Sequence, residues 1–123
     1  MNLDTNILIA YLAGESGIVE PLNEWIEKGG VLYISTIVET ELLSFSGWTT
    51  KEETEVKKFL EENFISIPYD RNIARMAAKL RKDSKIKLPD AAIAATALFT
   101  NTPLVTRNER DFNKIKELQV LTA

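Results

Sequence analysis

Short apolar runs alternate with segments of helical periodicity along the whole chain. Runs typical of buried strands lie near residues 1–4, 31–35, 64–68, 103–106 and 119–122. Segments with helical periodicity or helix-start signals lie between them, near residues 5–13, 18–28, 36–46, 50–62, 70–83 and 90–100. Strands that alternate with helices in this way predict an α/β fold with a central, mainly parallel sheet.

Local signals predict where several of these elements begin and end. Gly29 and Gly30 predict the end of the second helix, because glycine adopts the left-handed conformation that a helix C-terminus often needs. The apolar run 31–34 then forms a compact strand candidate. Thr50 and Glu53 have the spacing of a capping box that opens the following, highly charged helix.

Length and composition are those of one globular domain, which we place at residues 1–123. A hydrophobic content of 45% and a charged content of 27% are ordinary for a chain that buries a core of its own. No apolar run approaches the roughly 18–20 residues that cross a bilayer, and no signal-peptide pattern opens the sequence. The sequence therefore predicts no membrane association and a cytoplasmic location.

The absence of histidine and cysteine excludes whole classes of chemistry. Disulfides, thiolate nucleophiles and cysteine-ligated zinc sites need cysteine, while Ser-His-Asp triads and histidine acid–base pairs need histidine. Neither a G-x-x-x-x-G-K-[ST] phosphate loop nor a G-x-G-x-x-G dinucleotide motif occurs. Catalysis by this chain would therefore depend on carboxylates, hydroxyls, amides, lysine and arginine.

The net charge of −3 hides a strongly basic segment. Residues 71–87 contain seven of the fifteen lysines and arginines and a single acidic residue. Arg71, Arg75 and Lys79 are four residues apart and Lys82 follows three later, so they predict one stripe along a helix. Such a patch can bind phosphates even on an acidic protein, although a merely solvated helix face explains it equally well.

Four acidic residues, Asp4, Glu41, Asp90 and Asp111, lie in contexts suited to a cleft. Asp4 follows the first predicted strand, and Asp111 closes a polar segment after the fourth. Ligands of open parallel sheets bind beyond the carboxyl ends of the strands, so both acids should reach that edge. Asp90 opens the helix after Pro89. Helical spacing predicts that Glu41 shares an inward, apolar face with the residues four positions before and after it, Ile37 and Phe45.

Carboxylates that are drawn together without a basic partner repel one another. Their natural complement is a hard divalent cation. Taken singly, each acid has an ordinary structural explanation: Asp4 and Asp90 as helix caps, Glu41 as half of an ion pair or a solvated side chain, and Asp111 as a turn residue. Taken together, the four indicate metal-dependent phosphate chemistry.

Four short motifs, in order, carry a resemblance to a known family. They are Leu-Asp-Thr-Asn at 3–6, Glu-Leu at 41–42, Leu-Pro-Asp-Ala-Ala-Ile-Ala at 88–94 and Val-Thr-Arg-Asn-x-x-Asp-Phe at 105–112. With these motifs the chain resembles the PIN-domain family from residue 1 to about residue 121. It looks most like the VapC-type toxins of prokaryotic toxin–antitoxin pairs. Each motif is short, but all four in this order are highly specific.

The resemblance implies a three-layer α/β/α sandwich whose central, mainly parallel sheet has about five strands. It also implies an Mg²⁺-dependent or Mn²⁺-dependent endoribonuclease, with one or two metal ions, that leaves 5′-phosphate and 3′-hydroxyl ends. The expected partners are an RNA substrate, a cognate antitoxin protein and a second copy of the chain in a homodimer. Motif by motif, the catalytic and metal-binding residues carry over as Asp4, Glu41, Asp90 and Asp111, and the supporting polar residues as Asn6, Thr106 and Asn108.

Basic residues near these motifs then become candidate RNA contacts. The helical stripe runs toward Asp90 and is placed to guide an RNA backbone toward the metal, and two arginines lie within the fourth motif. The candidates are Arg71, Arg75, Lys79, Lys82, Arg107 and Arg110.

Other functions are compatible with parts of the pattern. A PIN-domain nuclease of RNA processing or decay, without an antitoxin, is the nearest alternative. A non-catalytic metal-binding or RNA-binding module on the same fold is another. A haloacid-dehalogenase-like phosphatase needs a second aspartate where this chain has Asn6. A response-regulator receiver needs paired early acids and a late lysine that are missing here.

Overall fold

Five parallel strands form one sheet in the computed structural model, which describes residues 1–123. In chain order they are β1 Asn2–Leu3, β2 Tyr33–Ser35, β3 Ile65–Ile67, β4 Leu104–Thr106 and β5 Val120–Thr122. Their order across the sheet is β3-β2-β1-β4-β5, and every neighbouring pair is parallel. The predicted parallel sheet of about five strands is confirmed.

Seven helices flank the sheet and complete the α/β/α sandwich. They are α1 Thr5–Leu12, α2 Ser16–Glu27, α3 Thr36–Leu43, α4 Thr50–Asn63, α5 Arg71–Ser84, α6 Leu88–Thr100 and α7 Glu109–Phe112. Because crossovers between parallel strands are right-handed, α1–α4 lie on one face and α5–α7 on the other. The six predicted helices are confirmed, and α7 is one additional turn. No helix is long and apolar enough to cross a membrane.

The central strand β1 has only two residues, yet backbone hydrogen bonds hold it on both sides. The Asn2 N–H donates to Pro103 O at 2.8 Å, and the Asp4 N–H donates to Val105 O at 3.0 Å. On the other side of β1, the Tyr33 N–H donates to the carbonyl oxygen of Met1 at 2.9 Å. Asp4 is therefore fixed at the carboxyl end of the central strand.

A polar residue is tolerated at the centre of the sheet because its amide nitrogen finds two partners, although its Oδ1 is buried without one. Asn2 is 1% exposed, and its Nδ2 donates to the hydroxyls of Thr100 and Thr102 at 2.7 Å each. These threonines lie at the end of α6 and just before β4. The side chain of Asn2 thus ties β1 to the segment that carries the next strand, at the edge of the sheet opposite Asp4.

Helix α6 is buried along most of its length. Residues 91–97 are all buried, and five of the seven are alanines. Small side chains let α6 lie closely between the sheet and α5, as expected of a helix that is apolar on every side. Asp90 is the third residue of this helix, so the position of its carboxylate is set by a rigid element.

The capping box of α4 lies one residue earlier than predicted. The side chain of Thr49, not Thr50, accepts the Glu52 N–H at 3.1 Å, and the Glu52 carboxylate accepts the Thr49 N–H at 3.0 Å. Thr50 and Glu53 have the same spacing, so the sequence offers two registers. Thr49 has the extended backbone that an N-cap needs, and this decides between them.

Replacing the true cap should cost stability, whereas replacing its neighbour should not. We expect Thr49→Ala to lower the free energy of unfolding by about 1 kcal/mol, because a helix N–H loses its acceptor. Thr50→Ala, which removes no cap, should change it by less than about 0.5 kcal/mol. Urea denaturation of both variants measures the difference. Equal losses of stability in the two variants would contradict the assignment of Thr49 as the cap.

Candidate active site

The carboxyl ends of the central strands bring the four predicted acids together. Asp4 directly follows β1, Asp111 lies in α7 just after β4, and Asp90 and Glu41 come from α6 and α3. The negative charges of Asp4, Asp111 and Glu41 all raise the pKa of Asp90, so each of these three carboxylates lies within electrostatic range of Asp90. The cluster has the position expected of a ligand site on a parallel sheet.

Asp4 is the most buried member of the cluster, with 6% of its surface exposed. It caps α1 by accepting the Thr5 N–H at 2.7 Å, and its other oxygen accepts the Thr106 hydroxyl at 2.7 Å. Burial raises the pKa of Asp4, and the charge of Glu41 raises it further. These effects outweigh the two hydrogen bonds, which favour the ionised form and lower the pKa.

Asp90 lies half-buried in the first turn of α6. An acid there is normally favoured by the helix dipole. Here burial raises the pKa of Asp90, and the other three carboxylates raise it further. Lys87 is the one cation that lowers it, and its effect is the smallest of those acting on the group. Asp90 therefore lies in a strongly negative environment, in which a bound cation would be stabilised.

Glu41 is exposed, which corrects the predicted inward position. The buried residues of α3 are Val38 and Leu42, and Ile37, from which the inward position was predicted, is not among them. Phe45 lies beyond the end of the helix and is 59% exposed, so it does not mark the core face. The Glu41 carboxylate nevertheless reaches the cluster, where it accepts the Thr5 hydroxyl at 2.6 Å.

Asp111 projects from α7, the helix that sequence patterns missed. One oxygen accepts a hydrogen bond from Asn108 Nδ2 at 3.0 Å, and the other lies 3.6 Å from Lys114 Nζ. The Asn108 hydrogen bond, followed by the charges of Lys114 and Arg110, lowers the pKa of Asp111. Asp111 is thus the readily ionised member of the cluster, in contrast to Asp4 and Asp90.

The three predicted supporting residues connect β4 to α1. The Thr106 hydroxyl, fully buried, donates to Asp4 and accepts the Asn108 N–H at 2.9 Å. Asn6 approaches the same hydroxyl through Nδ2 at 3.5 Å and accepts the Arg107 N–H at 3.3 Å. This network fixes the segment between β4 and Asp111 against the start of α1.

Three residues that contact or influence the acids, Thr5, Lys87 and Lys114, were not predicted as part of the site. Thr5 bridges Asp4 and Glu41 through its N–H and its hydroxyl. Lys87 is the N-cap residue of α6 and acts on Asp90. Thr5 belongs to the first motif, so its position beside Asp4 was a usable signal. Lys87 precedes the third motif by one residue and was visible only as part of the basic segment.

The predicted RNA contacts fall into two groups. Arg107 forms an ion pair with Glu15, at the start of α2, and Arg110 lies close enough to Asp111 to lower its pKa. The remaining four are exposed on α5, outside the cluster, and are Arg71, Arg75, Lys79 and Lys82. None of these four acts on the carboxylates or forms an ion pair.

The chemistry of the four carboxylates suits a hard divalent cation, but their side chains are not arranged to bind one together in this structure. Four carboxylates offer the oxygen ligands that Mg²⁺ and Mn²⁺ prefer. However, no group of three acidic side chains is arranged so that it could hold a metal ion at once. Glu41 is turned toward Thr5, and Asp111 toward Asn108 and Lys114. Both side chains are partly or fully exposed, so their rotation toward a cation would break these contacts without disturbing the core.

Comparison with known proteins gives consistent matches over nearly the whole chain. Ribonuclease VapC of Rickettsia bellii is 31% identical, across 98% of this chain and 93% of the relative. Ribonuclease VapC10 of Mycobacterium tuberculosis is 33% identical, across 95% of this chain and 89% of the relative.

Solved structures match the fold equally well. A toxin–antitoxin complex from Klebsiella pneumoniae contains a chain with a TM-score of 0.83 and 33% identity, covering 98% of this chain and 95% of that chain. The VapBC2 complex of Rickettsia felis, bound to a DNA fragment from its promoter, matches at a TM-score of 0.85. The two chains are 24% identical over 99% of this chain and 97% of that chain, and at this identity the match supports the fold and nothing more. The family model of the PIN domain matches residues 1–118, and this chain therefore belongs to the PIN-domain family.

Proposed function

We propose that this protein is a metal-dependent endoribonuclease, and that it is the toxin of a toxin–antitoxin pair. The carboxylate cluster is the observation that carries the proposal. Asp4 and Asp90 have raised pKa values, and both are coupled to Glu41 while only Lys87 opposes the charge around Asp90. Perturbed acids that converge at the carboxyl edge of a sheet mark a functional site. The ribonuclease names of the relatives that share the fold and about a third of the sequence support RNA as the substrate.

The residues proposed to hold Mg²⁺ or Mn²⁺ are Asp4, Asp90 and Asp111, with Glu41. When bound, a divalent cation supplies Lewis-acid activation of water and neutralises charge on the phosphoryl oxygens. A site without histidine needs this contribution, because no side chain of the protein has an ordinary pKa near neutral pH.

The protein's own contribution is to hold these oxygens in place. The Thr5 N–H and the Thr106 hydroxyl fix both oxygens of Asp4, and α6 fixes Asp90 through its backbone. Pre-positioned ligands avoid reorganisation during the reaction, which is where most electrostatic catalysis originates. Lys87 and Arg110 carry positive charge at the edge of the cluster and suit contacts with the phosphates that flank the scissile bond.

A cleavage assay with a panel of transfer and ribosomal RNAs tests the proposal. We expect site-limited cuts with Mg²⁺ or Mn²⁺, none with chelator, and 5′-phosphate and 3′-hydroxyl ends. Asp90→Asn should lower the cleavage rate by about 100-fold or more. Glu61→Gln, which removes an exposed carboxylate from α4, outside both the cluster and the basic face of α5, is the matched control and should cleave normally. Cuts that persist in Asp90→Asn would disprove the site. Metal binding without cleavage of any RNA would favour a binding module.

A groove beside the cluster supports an antitoxin partner. It has a volume of about 540 Å³ and lies between α1, α3 and the segment after α3. Ile9 and Phe45 line it and are 55% and 59% exposed, and Glu41 lies at its edge. The groove fits an apolar segment that presents a basic residue to Glu41. The toxin–antitoxin complex from Klebsiella pneumoniae shows that a similar chain is found in such an assembly. A homodimer stays part of the proposal.

A further inference from the structure

We propose that a row of unpaired cations on α5, continued by Lys87, binds the backbone of single-stranded RNA and leads it into the carboxylate cluster. This surface, called the α5 track below, consists of Arg71, Arg75, Lys79, Lys82 and Lys87. The inference rests on the proposed ribonuclease function and adds to it the path along which the RNA lies outside the carboxylate cluster.

The charges of the α5 track are uncompensated. All of its members are exposed, and none forms an ion pair with an acidic side chain. On α4 the situation is the opposite, since Lys57 pairs with Glu53 at 3.2 Å and Lys58 with Glu62 at 3.8 Å. A solvated helix of mixed charge commonly forms such pairs. On α5 the cations form none, and Asp83 is the single acid in residues 71–87, so this face presents mainly positive charge to solvent, which attracts an anionic chain.

The geometry of the helices makes the track point toward the cluster. Helices α5 and α6 pack against each other and are joined by only three residues. Lys85 ends α5 in the left-handed conformation, with φ 53°, and Ile86 is buried. Arg81 Nε donates to the Ile86 carbonyl at 3.2 Å and fixes this turn. The C-terminal end of α5 therefore lies beside the start of α6, where Asp90 is found.

The spacing suits an extended polyanion. Arg71, Arg75, Lys79 and Lys82 recur about once per helical turn on the face opposite the buried residues of α5. Over these residues the helix rises about 16 Å, so the track can contact several successive phosphates. Lys87 then continues the row, three positions before Asp90, and its charge already acts on that carboxylate.

The chemistry of the track predicts contacts with phosphates and none with bases. Helix α5 contains no aromatic side chain on which a base could stack. Lysine and arginine contacts to phosphate provide affinity that depends on salt and not on sequence. The α5 track should therefore favour longer RNAs over shorter ones, while the choice of the cleaved sequence belongs to the cleft.

RNA binding without cleavage provides the direct test. The probe is a fluorescein-labelled oligouridine of about 20 nucleotides, measured by fluorescence anisotropy in chelator at several salt concentrations. We expect Arg75→Gln/Lys79→Gln/Lys82→Gln to weaken binding at least about tenfold and to flatten the logarithmic salt slope by about 2, from 0.7 per lost phosphate contact. The matched control, Lys51→Gln/Lys57→Gln/Lys58→Gln on α4, removes the same charge from exposed positions and should bind like the wild type.

Cleavage by the same variants separates this inference from the nuclease proposal. On a long RNA kcat/KM should fall in the α5 variant, while on an oligonucleotide of about four nucleotides it should not change. If the wild type binds RNA as described but cleaves none, the nuclease proposal fails and the track stands. If the wild type cleaves RNA and the α5 and α4 variants bind alike, the track is wrong. A glutamate-rich peptide that binds through the same cations more tightly than RNA would also overturn it, in favour of an acidic protein segment.

Discussion

Asp4→Asn is expected to abolish RNA cleavage and at the same time to stabilise the folded protein. The variant removes a charge from a side chain that is 6% exposed and whose pKa is raised by burial. Loss of a proposed metal-binding carboxylate should lower the cleavage rate by about 100-fold or more. The Asn amide keeps the oxygen that accepts the Thr5 N–H and offers an N–H to the Thr106 hydroxyl, so the fold should be retained. The cleavage rate measured with Mg²⁺ and the melting temperature measured in chelator, both at neutral pH, provide the two readings.

The dependence of stability on pH follows from the same shift. Because the pKa of Asp4 is higher in the folded than in the unfolded state, the folded state binds more protons between the two values. The free energy of unfolding therefore decreases as pH rises from the ordinary pKa of an aspartate through the raised one. Asp90 acts in the same direction, whereas Asp111, with its lowered pKa, acts in the opposite one. Asp4→Asn should reduce this decrease, and Mg²⁺ should stabilise the wild type more than the variant. A variant less stable than the wild type at neutral pH in chelator would contradict this account.

Phe112→Ala is expected to destabilise the protein severely and to release Asp111 from the site. Phe112 is fully buried and belongs to the main hydrophobic core, although α7 has only four residues. Truncation of a buried phenylalanine typically costs about 3–5 kcal/mol, a large part of the roughly 5–15 kcal/mol that stabilise a domain. Since one turn of helix is not stable alone, this side chain is what holds the neighbouring carboxylate at the cluster.

Urea denaturation measures the loss, and Phe99→Ala serves as the matched control. Phe99 is 53% exposed, so its truncation should cost less than about 1 kcal/mol. Residual cleavage by Phe112→Ala, measured where the variant is still folded, reports whether Asp111 remains in place. If both variants lose the same stability, α7 is not anchored as described.

The features that depend on local sequence were predictable, and those that depend on distant contacts were not. Helix α6 and Asp90 at its start follow from a proline, an acid and a run of apolar residues that are adjacent in sequence. By contrast, Glu41 was placed from helical spacing alone, and the sequence does not say that its helix ends at Leu43. Its contact with the Thr5 hydroxyl joins residues 36 positions apart.

Two further differences have the same physical origin. Helix α7 is too short for a periodic pattern, and what stabilises it is the burial of Phe112 in a core built from the whole chain. Arg107 forms an ion pair with Glu15, which is 92 positions away, and its predicted contact with RNA stays a prediction. Ion pairs between distant segments leave no local pattern. The predicted position of the capping box was wrong for a different reason. Two equivalent spacings are present in the sequence, and only the backbone conformation of Thr49 distinguishes between them.

The position of β1 has a consequence for the order of events during synthesis. This strand, at the beginning of the chain, lies in the middle of the sheet and pairs with β4, about a hundred residues later. The hydrogen bond between Asp4 and Thr106 spans 102 positions. A ribosome must therefore translate as far as β4 before Asp4 meets its partner Thr106, since a contact this distant forms only when both segments exist. On the proposed ribonuclease function, the nascent chain has no complete carboxylate cluster, and should cleave no RNA, until that point.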